Sequence, residues 1–497
     1  MKLTTLAEPL LEFGTGTHIC PRTGIEHMGV YDKRDELRRT ELRIGIVGRG
    51  EGVDLLDEWL AQCRNGIERK KESKLLNLFR GFGGINQSYG FLTRLINSPQ
   101  YTRILQKSEI TAVVKLPSRA DRVERAVELY YEQIRFLAEN RAVDVIVCVI
   151  PNEMFDSVTS SKMGEDEENE LEHNFRRILK AKCMHLGTPL QLVREKTILI
   201  TKQLGEQQDP ATKAWNFCTA LYYKGNRTIP WRLVEDTAKL RSCYIGIGFY
   251  KSRDGETISS SLAQVFDEFG HGIILRGTPV SIDKKNRHPY LNEDQAYELL
   301  RDALDEYDRA LQHMPARIVI HKSSHFRESE RKGFLRALDE KGIRAKDFVA
   351  ITDTDIRLFG DGDYPPKRGT MLAISETEGV LCTRGTVDFY KTYPGAYPLL
   401  FVTMLFLGRS IVGGSGRLSR PSASAASISS RGIERLAVVM EGLGRSAARP
   451  HWLCRGGPEG GGDDPEQGGV GTRGSEGDPD AGGGLDDACG DFEEPQA

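Results

Sequence analysis

The hydrophobic rhythm of this chain changes once, at Pro230-Trp231, and that change limits its fold more than any other feature. Before it, β-rich runs alternate with amphipathic helices. Leu42–Val47 reads as a strand, Gly48–Gly52 as a turn and Val53–Cys63 as an amphipathic helix. Ile110–Val114 follows as a short strand, Arg119–Asn140 as a long helix and Val143–Ile150 as a buried strand. Glu170–His185 then reads as a helix and Thr197–Thr201 as a strand. Strands alternating with helices of this length predict a mostly parallel, helix-covered sheet.

After Pro230-Trp231, three strands come in close succession: Tyr244–Phe249, Ser260–Phe266 and Gly272–Arg276, the pattern of an antiparallel meander. Helix Asn292–His313, strand Arg317–His321, helix Glu328–Lys341 and strand Phe348–Thr352 follow, then a hairpin of Thr370–Ser375 and Gly379–Thr383. Three strands and then alternating helices and strands is the order of an RNase H-like fold. The expected class is therefore α/β, with a Rossmann-like domain over 41–235 and an RNase H-like domain over 236–407. Residues 1–40, rich in glycine, proline and turn-formers, read as an extended N-terminal lead-in, and 408–497 as a low-complexity tail.

The tail also distorts the charge. The net charge is -3 over 497 residues, but 455–497 hold twelve acidic residues against Arg455 and Arg473 alone. The remaining 66 basic and 59 acidic residues leave 1–454 with about +7, which permits a polyanionic partner without requiring one. A segment of glycine, acids and proline buries too little apolar surface to offset its ordering entropy, so the tail is expected to be disordered. Nine cysteines stand singly, without a CxxC pair or histidines at zinc-ligand spacing. That usage fits a reducing cytosol, and no structural metal is expected. The start of the chain has no secretory apolar run, and Leu399–Leu407 falls far short of the ~20 residues needed to span a bilayer. The expected location is cytoplasmic.

Three constellations could carry chemistry. Gly48-x-Gly50-x-Gly52 after a strand invites a Rossmann-like nucleotide-binding reading, but the dinucleotide fingerprint needs G-x-G-x-x-G and an acid near the end of a second strand. A plain strand-to-helix turn is the commoner meaning. Arg176 and Lys180 share one face of a helix, Gln191 follows in a loop, and Lys224 ends Cys-Thr-Ala-Leu-Tyr-Tyr-Lys. Converging cations and an amide suit a terminal phosphate, although such spacing also describes a solvated helix face. Lastly, Gly248 and Ser323 occupy strand positions where a two-metal nuclease would place aspartates, and neither can hold a cation. Asp254, Glu256, Asp267, Asp353 and Asp355 lie nearby but read as surface residues.

The chain resembles the short prokaryotic Argonautes, which consist of a MID and a PIWI domain. The resemblance rests on Ala263-Gln-Val-Phe-Asp-Glu-Phe-Gly-His-Gly-Ile-Ile-Leu-Arg-Gly277, Pro315-Ala-Arg-Ile-Val-Ile-His-Lys-Ser-Ser324, Lys391-Thr-Tyr-Pro-Gly395 and Glu8-Pro-Leu-Leu-Glu-Phe-Gly14. Together these cover roughly residues 5–400. It implies a MID domain whose Arg176, Lys180, Gln191 and Lys224 hold a guide's 5'-phosphate, with room for Mg2+ there. It also implies a catalytically inactive PIWI domain, since Gly248 and Ser323 replace tetrad aspartates. Such a protein would use guide RNA to find single-stranded target DNA in prokaryotic defence. It would signal through an APAZ-containing partner whose TIR, sirtuin-like or nuclease domain does the chemistry. His321, Lys322 and Arg368 are expected, by position, on the guide and target backbone. The family continues past Tyr-Pro-Gly differently, which suggests a frameshift near 398–410. The alternatives are an active guided nuclease and a Rossmann-like nucleotide-binding protein.

Overall fold

The computed structural model describes residues 2–69, 73–158, 175–199, 209–234, 241–251, 258–266, 272–274, 279–280, 290–322, 324–354, 356, 358, 366–375, 377–383, 385–392 and 402–407; at 250–280, 353–354 and 402–407 only the backbone is described. The first half is built on a parallel sheet. Its Glu41–Arg49 strand pairs with Arg94–Ile96 and Thr102–Leu105 on one side and Val145–Ile150 on the other, with Leu190–Arg194 beyond.

Val145–Ile150 is buried at every residue, as a strand covered on both faces must be. Its side chains alternate between faces. Val145, Val147 and Val149 join Ile44, Ile46, Leu56 and Leu221 in one core, while Ile146, Cys148 and Ile150 join Val127, Tyr130 and Ile134 in the other. Each such side chain contributes ~1.5–3 kcal/mol over leaving it exposed. The second core is covered by the Arg119–Asn140 helix, where buried Tyr130 donates to the Val149 carbonyl at 2.6 Å. On the other face, the Pro210–Asn226 helix ends against the sheet at Gly225. A Cβ there would come 2.4 Å from Leu42 Cδ2, so only glycine lets the last turn lie so close.

Two expectations for this half are corrected. Ile110–Val114 belongs to the Lys107–Val114 helix, because Gln106 and Glu109 cap its start reciprocally and override the β-branched run. Thr197 and Ile198 lie in a helical turn, Glu195–Ile198; the strand that completes the sheet is Leu190–Arg194, so Gln191 is in a strand and not a loop. Of the expected Glu170–His185 helix, Phe175–Cys183 is described as helix, followed by the Met184–Leu186 turn.

Among the described residues, the second half and Lys2–Thr5 together form a mixed sheet of ten strands. Ser242–Lys251 pairs antiparallel with Ile258–Phe266, which in turn pairs with Gly272–Ile274 and Pro279–Val280. On its other side come Arg317–Lys322 and Ala345–Thr354, both parallel. Val402–Leu407, Glu378–Cys382, Thr370–Ala373 and Lys2–Thr5 then extend the sheet antiparallel. The apolar run Leu399–Leu407 thus ends inside the sheet, while 398–401 and the tail from 408 lie outside the described residues. Helices Glu293–Leu311 and Glu328–Glu340 cover one face over a core of Ile245, Leu300, Ile318, Ile320, Phe334 and Phe348.

The N-terminal segment is not merely an extended lead-in. Lys2–Thr5 is an edge strand of the mixed sheet, and Leu11–Glu12 pairs with both Thr17–His18 and Arg232–Leu233 beside the Pro21–Met28 helix. Cys20, Cys63, Cys148, Cys183, Cys218, Cys243 and Cys382 are free and buried. Among the described residues, no helix is long and apolar enough to cross a membrane.

Candidate functional site

The fold brings Gln191 and Lys224 together across 33 residues of sequence. Gln191 lies near the start of the Leu190–Arg194 strand, and Lys224 in the last turn of the Pro210–Asn226 helix. Lys224 Nζ donates to Gln191 Oε1 at 2.8 Å and to the Leu190 carbonyl at 2.6 Å. The ammonium is thus aimed by two acceptors at the strand edge.

Arg176 and Lys180 sit one turn apart on the Phe175–Cys183 helix, whose buried stripe is Phe175, Leu179 and Cys183. Both are half-buried and lie on the same flank of that stripe; Lys182 lies on the opposite flank, against Glu128 and Tyr131. The helix leads through Met184–Leu186 and the left-handed Gly187 (φ 68°) into the Gln191 strand. Cys183, at the end of this helix, and Lys224 both act on the buried Cys148 of the neighbouring strand. Burial pushes the Cys148 thiol well up, Cys183 raises it further and Lys224 pulls it down. Arg, Lys and amide donors supply the fork and point charges that a phosphate dianion accepts. They do not fit a protein-held Mg2+, which demands oxygen ligands: Gln191 Oε1 and the Leu190 carbonyl both accept from Lys224, and the other members are cations.

The glycine-rich turn has its own occupant. The Gly50–Asn65 helix begins there, and the buried Glu195 carboxylate lies against its first turn, where a Cβ on Gly52 would come 2.9 Å from Glu195 Oε1. Arg49 grips Glu195 at 2.6 Å (Nε) and 2.8 Å (Nη2) and also donates to Glu153 at 2.8 Å. Burial alone would lower the Arg49 pKa, but Glu195, Glu153 and Glu51 together raise it. The anion that a dinucleotide would place at this helix start is supplied by the protein itself, which argues against the nucleotide-binding alternative. Neither Arg49 nor Glu195 carries a sequence signal, since their pairing spans 146 residues.

In the mixed sheet, Ile247 pairs with Lys322, so Gly248 lies one residue beyond a matched pair on adjacent parallel strands. Gly248 offers no metal ligand. Ser323, Asp254, Glu256, Asp267 and Asp355 lie outside the described residues, and at Asp353 only the backbone is described. Among the described residues, no group of three or more His, Cys, Asp or Glu could hold a metal ion.

The three residues expected by position on the guide and target backbone are engaged as follows. Lys322 is 2% exposed; its Nζ donates to Glu330 Oε1 at 2.5 Å, with the Phe249 and Phe326 rings 5.3 and 5.7 Å away. The His321 Nε2 is sealed from solvent without a hydrogen-bond partner, and burial pushes its pKa down to about 4, so the ring is neutral near pH 7. Arg368 donates from Nε to Glu8 Oε1 at 2.8 Å and from Nη2 to Glu8 Oε2, holding the N-terminal segment. None of the three presents a free cation to a nucleic-acid backbone. Sequence shows their charge and not the partners that consume it.

No family model matches the chain, and no curated protein matches it. Solved structures do. The chain is similar to Clostridium butyricum Argonaute bound to a guide DNA (5' deoxycytidine) and a 19-mer target DNA, with a TM-score of 0.54 at 16% identity, over 82% of this chain and 47% of that one. Marinitoga piezophila Argonaute in complex with 5' OH guide RNA also matches (TM-score 0.45, 12% identity, 82% and 51% covered), as does Drosophila Piwi (0.44, 14%, 84% and 48%). The chain spans about half the length of the structures it matches. The likeness is one of fold, to about half of an Argonaute.

Proposed function

We propose that the chain holds a nucleic-acid guide by its 5'-phosphate and uses it to recognise a single-stranded target without cutting it. The observation that carries this reading is the contact of Lys224 with Gln191, in the strand that the helix of Arg176 and Lys180 leads into. Residues 41–235 act as a MID domain and 236–407 as an RNase H-like PIWI domain, and the guide is RNA and the target DNA. Base pairing supplies sequence specificity while the protein supplies the anchor and backbone contacts, as in other guided systems. The Argonaute of C. butyricum, seen with guide and target DNA, supports a nucleic-acid ligand for this fold.

Gly248 supplies no carboxylate where two-metal cleavage needs one, so this chain binds and a partner acts. The partner is an APAZ-containing effector with a TIR, sirtuin-like or nuclease domain, in cytoplasmic prokaryotic defence. The test is to purify the full chain, sequence the nucleic acid that accompanies it, and compare its affinity for 5'-phosphorylated and 5'-hydroxyl guides of RNA and of DNA. Tight, phosphate-dependent RNA binding that disappears in Lys180→Ala plus Lys224→Ala is expected. Equal affinity for both 5' ends would refute the anchor. Metal-dependent cleavage of a matched target by the isolated chain would refute the inactive assignment.

A further inference from the structure

The last turn of the Pro210–Asn226 helix is held by the N-terminal segment, and that grip bears on Lys224. A helix end leaves carbonyls without partners inside the helix. Gly225, next to Lys224, is one of these, and Arg39 Nη1 donates to its carbonyl at 2.6 Å. The Arg39 backbone N–H donates to Asn226 Oδ1 at 2.7 Å, so one residue takes hold of the turn twice. A cation there also complements the negative end of the helix dipole.

Arg39 is itself braced. Its Nη1 lies 3.4 Å from Asp144 Oδ1, and its carbonyl accepts from Thr93 Oγ1 at 3.1 Å. Asp144 is buried and fixed by Arg43 through the backbone N–H at 2.7 Å and through Nε and Nη2, each at 3.1 Å. One turn back, Tyr222 donates to buried Asp32 at 2.5 Å, a second tie to the same segment. On the far side, Arg227 Nη2 donates to the Gly187 carbonyl at 2.9 Å, joining the helix end to the turn between the Arg176/Lys180 helix and the Gln191 strand.

We propose that Arg39 is a positioning residue for the phosphate anchor: by fixing the Gly225-Asn226 end of the helix it holds the Lys224 ammonium against Gln191. The inference rests on the 5'-phosphate reading of Arg176, Lys180, Gln191 and Lys224. It adds that the N-terminal segment, remote in sequence from all four, sets the geometry of the anchor.

The readout is the ratio of dissociation constants for a 5'-hydroxyl and a 5'-phosphorylated guide of one sequence, on the full chain. Arg39→Ala is expected to lower that ratio by about tenfold, as loss of one well-aimed charge-assisted bond does, and to leave the 5'-hydroxyl affinity within about twofold. Arg39→Lys should restore part of the ratio. In a Lys224→Ala background, Arg39→Ala should change nothing further, because Arg39 acts through Lys224. An undiminished ratio in Arg39→Ala would overturn the proposal. So would an equal further loss in the Lys224→Ala background, which would make Arg39 a direct phosphate contact. If the wild-type ratio is near one, or Lys224→Ala leaves it unchanged, the phosphate reading has failed first. If Arg39→Ala does not fold, Asn226→Ala removes only the acceptor of the Arg39 N–H; it should lower the ratio in the same direction, and no change there would also overturn the proposal.

Discussion

Replacing Lys322 with methionine separates a buried ion pair from a nucleic-acid contact. The side chains of Lys322 and Glu330 are 1% and 0% exposed, and their charges meet at 2.5 Å. Burial lowers the Lys322 pKa and Glu330 opposes that shift, so the ammonium depends on its partner. Removing one member of such a pair costs ~3–5 kcal/mol, because the other charge is left in a dry site. Glu330 keeps the Leu291 and Arg327 backbone N–H groups, at 2.9 and 2.8 Å, which still stabilise its charge. Lys322→Met therefore belongs at the low end, ~3 kcal/mol. At ~2–4 °C per kcal/mol for a domain of this size, the melting midpoint should fall by about 6–12 °C. Glu330→Leu should cost more, since it strands the ammonium and also orphans two N–H donors at ~1–3 kcal/mol each. Removing both charges together should cost less than the sum of the two single changes. Thermal and denaturant midpoints measure the stability, and guide binding at several salt concentrations measures the contact. An unchanged midpoint with weaker binding and a shallower salt slope would make Lys322 a phosphate contact and refute the buried-pair assignment.

Other outcomes follow from single sites. Burial pushes the His321 pKa down from the ordinary 6.5 to about 4. The depressed value means its stability contribution is complete above pH 6.5 and is lost as pH falls toward 4, a difference of up to ~3 kcal/mol. Thermal midpoints at pH 7 and pH 4.5 should therefore differ less in His321→Gln than in wild type, and an equal acid shift would sink the claim. Arg22 is 5% exposed, donates from Nη1 to the Leu78 carbonyl at 3.2 Å and Thr212 Oγ1 at 3.4 Å, and has a buried Nε without a partner. Among the described residues it makes no ion pair, so Arg22→Met should be neutral or stabilise by up to ~2 kcal/mol; a large loss of stability in denaturant titration would show a required charge partner. Glu195→Ala should destabilise by ~2–3 kcal/mol, because Arg49 keeps Glu153 while losing its buried bidentate partner. Calorimetric titration with NAD or ATP should show no binding to wild type, and tight binding there would restore the nucleotide reading.

What the sequence determined by itself is what depends on near neighbours. The Arg119–Asn140 helix has its observed bounds because its apolar residues repeat at helical spacing and Ser118 caps its start. Val145–Ile150 declares itself because a short, β-branched apolar run suits a strand buried on both faces. Ile110–Val114 has the β-branched composition of a strand, but the cap between Gln106 and Glu109 starts a helix there. The four phosphate-anchor candidates were legible as charges and spacing. Their arrangement was not: the bond of Lys224 to Gln191 exists only because a parallel sheet and its covering helix bring two distant segments edge to edge. The same limit explains Lys322, His321 and Arg368, whose side-chain types are plain in the sequence while the Glu330 pair, the burial of the His321 Nε2 and the Glu8 pair are not. Charge is a property of a residue. Whether it is free to meet a ligand depends on the neighbours and burial that tertiary structure alone decides, because electrostatic interaction and desolvation act through space and not along the chain.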